Sequence, residues 1–195
     1  MNIKIINGLA KAKEAFSMRS QTLPGEDRHN NSTDISSPHQ SVKQIIEDVR
    51  NFGDKALYKY RNSLDGLSSQ PLEIDNSSIT KAYNEIDAEL VNALKLSANR
   101  IEEYHKATLP KSWFDDSMGL GEKAIPLNRA GVYTPGGTAS YPSSVLMTAI
   151  PARVAGVKEV IVCTPSTSPE VLAAAAIAKV DRVFNVGGAQ AIAAM

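Results

Sequence analysis

The chain has a single cysteine, Cys163, among 195 residues, so no internal disulfide framework can hold it together. Its formal charges cancel, 21 basic against 21 acidic. That balance lacks the basic face needed to displace counterions from a nucleic acid, and no nucleic-acid partner is expected. No apolar run reaches the roughly 18 residues of a membrane span, and no membrane partner is expected. Residues 1–20 lack the apolar centre and small-residue cleavage site of a secretion signal, which makes the cytoplasm the expected location. The glycine pairs at 136–137 and 187–188 lack the G-x-G-x-x-G spacing of a dinucleotide fingerprint, and a Walker A loop is absent too. The three histidines, His29, His39 and His105, have no partner at metal-ligand spacing, so no metal site is expected within this sequence.

What is present divides near residue 110. Residues 1–37 form an expected arm or loop, with no apolar period in the Ser-, Asn-, Asp- and Pro-rich part from residue 20. Residues 38–110 carry helical signals. Ser41 and Gln44 fit a capping box. Val42, Ile45, Ile46, Val49 and Phe52 recur at helical spacing and predict one buried stripe. Gly53 should end that helix and Asp54 cap the next. Asn76 or Ser77 should cap a third helix. Asp87 should open the longest, with Leu90, Leu94, Ser97, Ile101 and Tyr104 on one face.

From 111 to 195 strands alternate with helices. Ala130–Thr134, Val160–Cys163 and Arg182–Val186 read as strands, with Cys163 a buried core residue. Ser143 or Ser144 should cap a helix whose Pro151 implies a kink or restart. Ser168-Pro169-Glu170 is a compact helix start, leading into an Ala-rich buried helix. This alternation predicts βαβ units in a parallel sheet covered by helices. Ligands of such sheets bind at the carboxyl ends of the strands. Both glycine pairs fall there. Pro135-Gly136-Gly137 is either a ligand loop or a tight turn. Tyr133 either stacks on a ligand ring or is a half-buried strand residue. Gln190, two residues after Gly188, either bonds a cofactor or is a solvated residue of a helix's first turn.

Three blocks of sequence together resemble the histidinol dehydrogenase family. They are Pro126-Leu127-Asn128-Arg129-Ala130-Gly131-Val132-Tyr133-Thr134-Pro135-Gly136-Gly137, then Tyr141-Pro142-Ser143-Ser144-Val145-Leu146-Met147 with Ile150–Val157, and finally Phe184-Asn185-Val186-Gly187-Gly188-Ala189-Gln190-Ala191. The resemblance implies a zinc-dependent homodimer that oxidises the small molecule histidinol to histidine with two successive NAD molecules. It implies that Tyr133 and Gln190 are NAD contacts. The family's third NAD contact, its zinc ligands, its Glu-His acid–base pair and most substrate contacts are expected beyond Met195. No catalytic or metal residue is therefore assigned within the chain, and the 195 residues alone are expected to be inactive. Alternatives are a related zinc- and NAD-dependent dehydrogenase of a small sulfonated diol, or a truncated non-catalytic chain.

The reading at this point is an α/β fold. A helical N-terminal region precedes an incomplete Rossmann-like parallel sheet with covering helices, which begins the NAD-binding domain.

Overall fold

The computed structural model describes residues 38–65, 71–136 and 140–195. The expected arm over 1–37, His29 and Gly137 lie outside the described residues. One compact unit spans Gln40–Met195; the other, Met1–His39, falls almost wholly outside them.

The C-terminal half alternates as its sequence predicts. Strands β4 (Arg129–Tyr133), β5 (Glu159–Thr164) and β6 (Arg182–Asn185) lie side by side in parallel. Helix α5 (Pro142–Val154) links the first two and α6 (Pro169–Ile177) the last two. Both cover the same face of the sheet. There Val132, Val160, Val162 and Val183 meet Val145, Leu146 and Ala149 of α5 and Val171, Ala174 and Ala175 of α6. Helix α6 is apolar nearly all round because a second layer covers its back. That layer is α3 (Asn76–Glu85) and α4 (Ala88–Thr108), which bring Ile79, Ala82, Leu94 and Ala98 to the same core. This core thus runs continuously across residue 110.

The opposite face carries Tyr133, Cys163 and Phe184, which follow the two-residue period of their strands. It is covered by α7 (Gly188–Ala194), α1 (Pro38–Phe52) and α2 (Asp54–Tyr60), through Ala191, Val49, Ala56 and Leu57. Cys163 is buried as expected, and burial pushes its thiol up to about 11.

Two pieces of β structure were not foreseen. Glu73–Ile74, designated β1, pairs antiparallel with β6 and extends the sheet to β1-β6-β5-β4. Both Glu73 carboxylate oxygens accept bonds from Arg182, at 2.8 and 2.7 Å. Two residues are too short to show alternation, so the strand is invisible to pattern. Trp113–Asp115 (β2) and Leu120–Glu122 (β3) form a separate hairpin. Its turn is held by the Asp115 carboxylate, which accepts from the backbones of Ser117 and Met118, and by Gly119 at positive φ.

Several helix expectations need correction. The first helix among the described residues begins at Pro38, three residues before the expected cap, and its stripe is not buried as a unit. Val49 is buried, but Val42 is 42% and Phe52 61% exposed. The cap of α3 is Asp75, whose carboxylate accepts from Ser78 N–H at 2.9 Å. Gly53 precedes α2 without a side-chain cap bond, and Asp54 is its first residue. In α4, Asp87 caps as expected, but Ala98 replaces Ser97 on the buried face and Tyr104 is exposed. Helix α5 starts at Pro142 without a side-chain cap and continues through Pro151. Arg153 donates to the carbonyls of Lys179, Val157 and Lys158 and to Asp181, so it binds the ends of α5 and α6 together.

Candidate functional site

The carboxyl ends of β4, β5 and β6 converge on one proline. An added Cβ at Gly136 would lie 2.5 Å from the Pro165 ring, and one at Gly187 would lie 2.8 Å from it. Neither position has room for a side chain, so both glycines are needed for the strand ends to close up. This is packing at the first of them, and it favours the tight-turn reading of Pro135-Gly136 on its described part.

Tyr133 ends β4 on the face covered by α7. Its hydroxyl accepts the backbone N–H of Gly188 at 3.3 Å, at a position open to solvent. Gly188 has φ of 65°, the left-handed region in which glycine carries no Cβ penalty. Its open side is taken by Gln190, whose Oε1 would sit 2.5 Å from an added Cβ. Tyr133, Gly188 and Gln190 are therefore stacked in contact at one corner of the sheet. The two residues singled out by sequence lie on the same face, joined through the glycine between them.

Gln190 departs from its expected setting. It is fully buried, not solvated, and among the described residues neither its amide nitrogen nor its oxygen has a hydrogen-bond partner. A buried primary amide with nothing to bond costs roughly 1–3 kcal/mol. Its buried surroundings also mean that it lines no open pocket in this conformation.

A polar row that sequence reading passed over lies on the other face of the same sheet end. Thr134, Thr164 and Asn185 are all buried. Thr164 pairs in register with Asn185 and accepts the N–H of Ser166 at 3.1 Å. Thr134 Oγ1 and Asn185 Oδ1 have no partner among the described residues. The signal in the sequence is positional, since each polar residue comes at the carboxyl end of an apolar strand: Thr134 after Val132-Tyr133, Thr164 after Val162-Cys163 and Asn185 after Val183-Phe184.

Among the described residues, no three His, Cys, Asp or Glu side chains converge to hold a metal. His105 stacks edge-on against Tyr104 near the end of α4, far along the chain from the sheet corner.

Comparison with known proteins gives the same direction. The family model described as histidinol dehydrogenase matches residues 28–195. A histidinol dehydrogenase of Methanosarcina mazei is 46% identical over 80% of this chain and 38% of its own length. One of Dehalococcoides mccartyi is 43% identical over 99% of this chain and 47% of its own. The crystal structure of histidinol dehydrogenase from Elizabethkingia anophelis superposes with a TM-score of 0.73, at 30% identity, over 85% of this chain and 40% of that one. The chain thus spans less than half the length of these relatives. With the matched residues covering both glycine turns and the whole sheet, the chain belongs to the histidinol dehydrogenase family.

Proposed function

We propose that the chain supplies part of the NAD site of a zinc-dependent histidinol dehydrogenase, an oxidoreductase of histidine biosynthesis that works as a cytoplasmic homodimer on the small molecule histidinol. The observation that carries this is the amide of Gln190, fully buried, unpartnered and stacked on Gly188 beneath the Tyr133 hydroxyl. Such an amide offers a donor pair and an acceptor to a ligand rich in both, as a dinucleotide is. The tyrosine ring beside it adds a stacking face, and its hydroxyl, which accepts the Gly188 N–H, keeps an O–H to donate.

NAD would supply the hydride acceptor. Tyr133 and Gln190 would hold it, and their role is to bind and orient rather than to move protons. Positioning of this kind contributes a large part of the rate in hydride transfer, where the reacting atoms must be held in contact. Because Gln190 is closed over, binding requires its side chain to turn outward or the Gly188–Tyr133 contact to open. Zinc does not fit the described residues, which hold no converging ligand set, and no step is assigned to it here.

The test is titration of the purified protein with NADH, followed by cofactor fluorescence, for the wild type and for Tyr133→Phe and Gln190→Ala. Saturable binding that both variants weaken supports the reading. Equal binding by all three would remove Tyr133 and Gln190 from the cofactor site. A parallel assay of NADH formation from histidinol with added zinc should show no turnover by these 195 residues alone.

A further inference from the structure

We infer that Arg61 is a positioning residue for the Gly187–Gly188 turn, acting through the carbonyl of Asn185. The functional sense of this rests on reading that turn as part of the cofactor site.

Arg61 is the largest fully buried side chain among the described residues. It opens the π-helical turn Arg61–Asp65 that follows α2, on the side of the sheet where α1, α2 and α7 pack. Packing alone does not explain a guanidinium there. A leucine or methionine would fill similar space without the desolvation cost of a buried charge. An arginine is worth burying where several backbone acceptors need donors from one group.

Those acceptors are present. Nη1 of Arg61 donates to the carbonyl of Pro71 at 3.0 Å and reaches the carbonyl of Asn185 at 3.5 Å. The Asn185 N–H in turn donates to the carbonyl of Leu72 at 2.7 Å. The segment 71–72 and the end of β6 are thus stitched twice, once by backbone and once through the guanidinium.

The need for the second stitch follows from the topology. The β1 partner of β6 pairs only as far as Glu73 opposite Phe184. One residue later the assigned strand pairing has ended; Leu72 still accepts the Asn185 N–H, and the Asn185 carbonyl is met in a buried setting by the Arg61 guanidinium. A buried carbonyl left unanswered is costly, and Arg61 answers it. Asn185 stands two residues before Gly187 and three before Gly188, whose N–H meets Tyr133. The direction of the Asn185 carbonyl fixes the plane of the next peptide and hence where the chain enters the turn. These two bonds of Arg61 go to backbone carbonyls, not to Tyr133 or Gln190. Arg61 sets the backbone from which Gln190 projects.

The test compares Arg61→Met and Arg61→Lys with the wild type in the protein at its native length, by amide hydrogen exchange and NADH titration. Exchange is read at Leu72 and over residues 186–190, under conditions where urea titration shows each protein folded. Arg61→Met should speed exchange over 186–190 by about tenfold or more and weaken NADH binding by a similar factor, the effect expected from losing a charge-assisted bond. Arg61→Lys, keeping one donor group, should recover much of both. If Arg61→Met does not fold, Arg61→Gln takes its place with the same expectation. Faster exchange confined to Leu72, with 186–190 unchanged, would overturn the inference and leave Arg61 as a staple of the 71–72 segment alone. If the wild type binds no NADH, the cofactor reading fails, while exchange over 186–190 still decides whether Arg61 sets the turn.

Discussion

The hydroxyl of Tyr133 accepts the N–H of Gly188 at 3.3 Å, joining the end of β4 to the start of α7 across the intervening β5 and β6. On the proposed cofactor reading, this bond and the buried amide of Gln190 would put stability and binding in opposition at one corner of the sheet. Replacing Gln190 with Leu should remove an unpartnered polar group and raise unfolding free energy by about 1 kcal/mol. The same variant should lose NADH affinity by an order of magnitude or more. Urea denaturation and NADH titration on one preparation check both. A less stable variant with unchanged affinity would show that the amide is satisfied in solution.

The close approach of Pro165 to two glycines predicts an asymmetry among alanine substitutions. Gly187→Ala and Gly136→Ala each drive a Cβ against a rigid ring, and should cost about 1–3 kcal/mol by overpacking. Gly131→Ala meets the sulfur of Met195 at 2.6 Å, the end of a flexible side chain that can move aside. Its cost should be clearly smaller. Thermal unfolding of the three variants measures the order.

Lys179 has φ of 54°, the left-handed region, at the end of α6. A side chain is strained there and glycine is not. Lys179→Gly should therefore stabilise the protein by roughly 0.5–1 kcal/mol despite the greater freedom of glycine in the unfolded chain. A fall in the urea midpoint would contradict it.

Asp48 receives hydrogen bonds from Tyr60 at 2.7 Å, Lys59 at 2.9 Å and Gln44 at 2.7 Å. These hold its carboxyl at about 2, below its usual 3.8. A depressed carboxyl stabilises the fold above its unfolded value and loses that effect as pH falls through its folded value. The contribution should be complete above about pH 4 and gone below about pH 2. Tyr60 and Lys59 are raised by the same contacts, so their share lasts up to their ordinary values and is lost as pH rises through the raised ones. Asp48→Asn should flatten the acid limb of stability between pH 4 and 2, read from urea midpoints across that range.

The parts of the fold visible in the sequence are those with a repeated signal. Alternating valines in β5 and the Ser168-Pro169-Glu170 start of α6 each repeat or combine several cues, and the structure keeps them. Glu73–Ile74 was hidden because two residues have no period. Its place in the sheet depends on Arg182 and Phe184, more than a hundred residues away. The stripe on α1 had the right period, but burial depends on what packs against it, and only Val49 and Ile45 meet a partner cluster. At the site, Tyr133 and Gln190 are singled out by the glycine turns beside them, which follow Tyr133 and precede Gln190. Arg61 is not, because its environment is made of backbone carbonyls, which carry no side-chain signature. The polar row of Thr134, Thr164 and Asn185 is likewise legible only once the register of the strands is known.

The antiparallel edge strand also constrains the order in which the molecule can be made. Glu73 leaves the ribosome early, yet its side-chain partner Arg182 on β6 lies 109 residues later. Closing so long a loop costs entropy that only the finished sheet repays. During synthesis the helices before residue 73 must wait uncommitted while β4, β5 and β6 assemble from contiguous chain. Nascent chains halted before Arg182 should leave the segment around Glu73 open to protease, and chains extended past Asn185 should protect it.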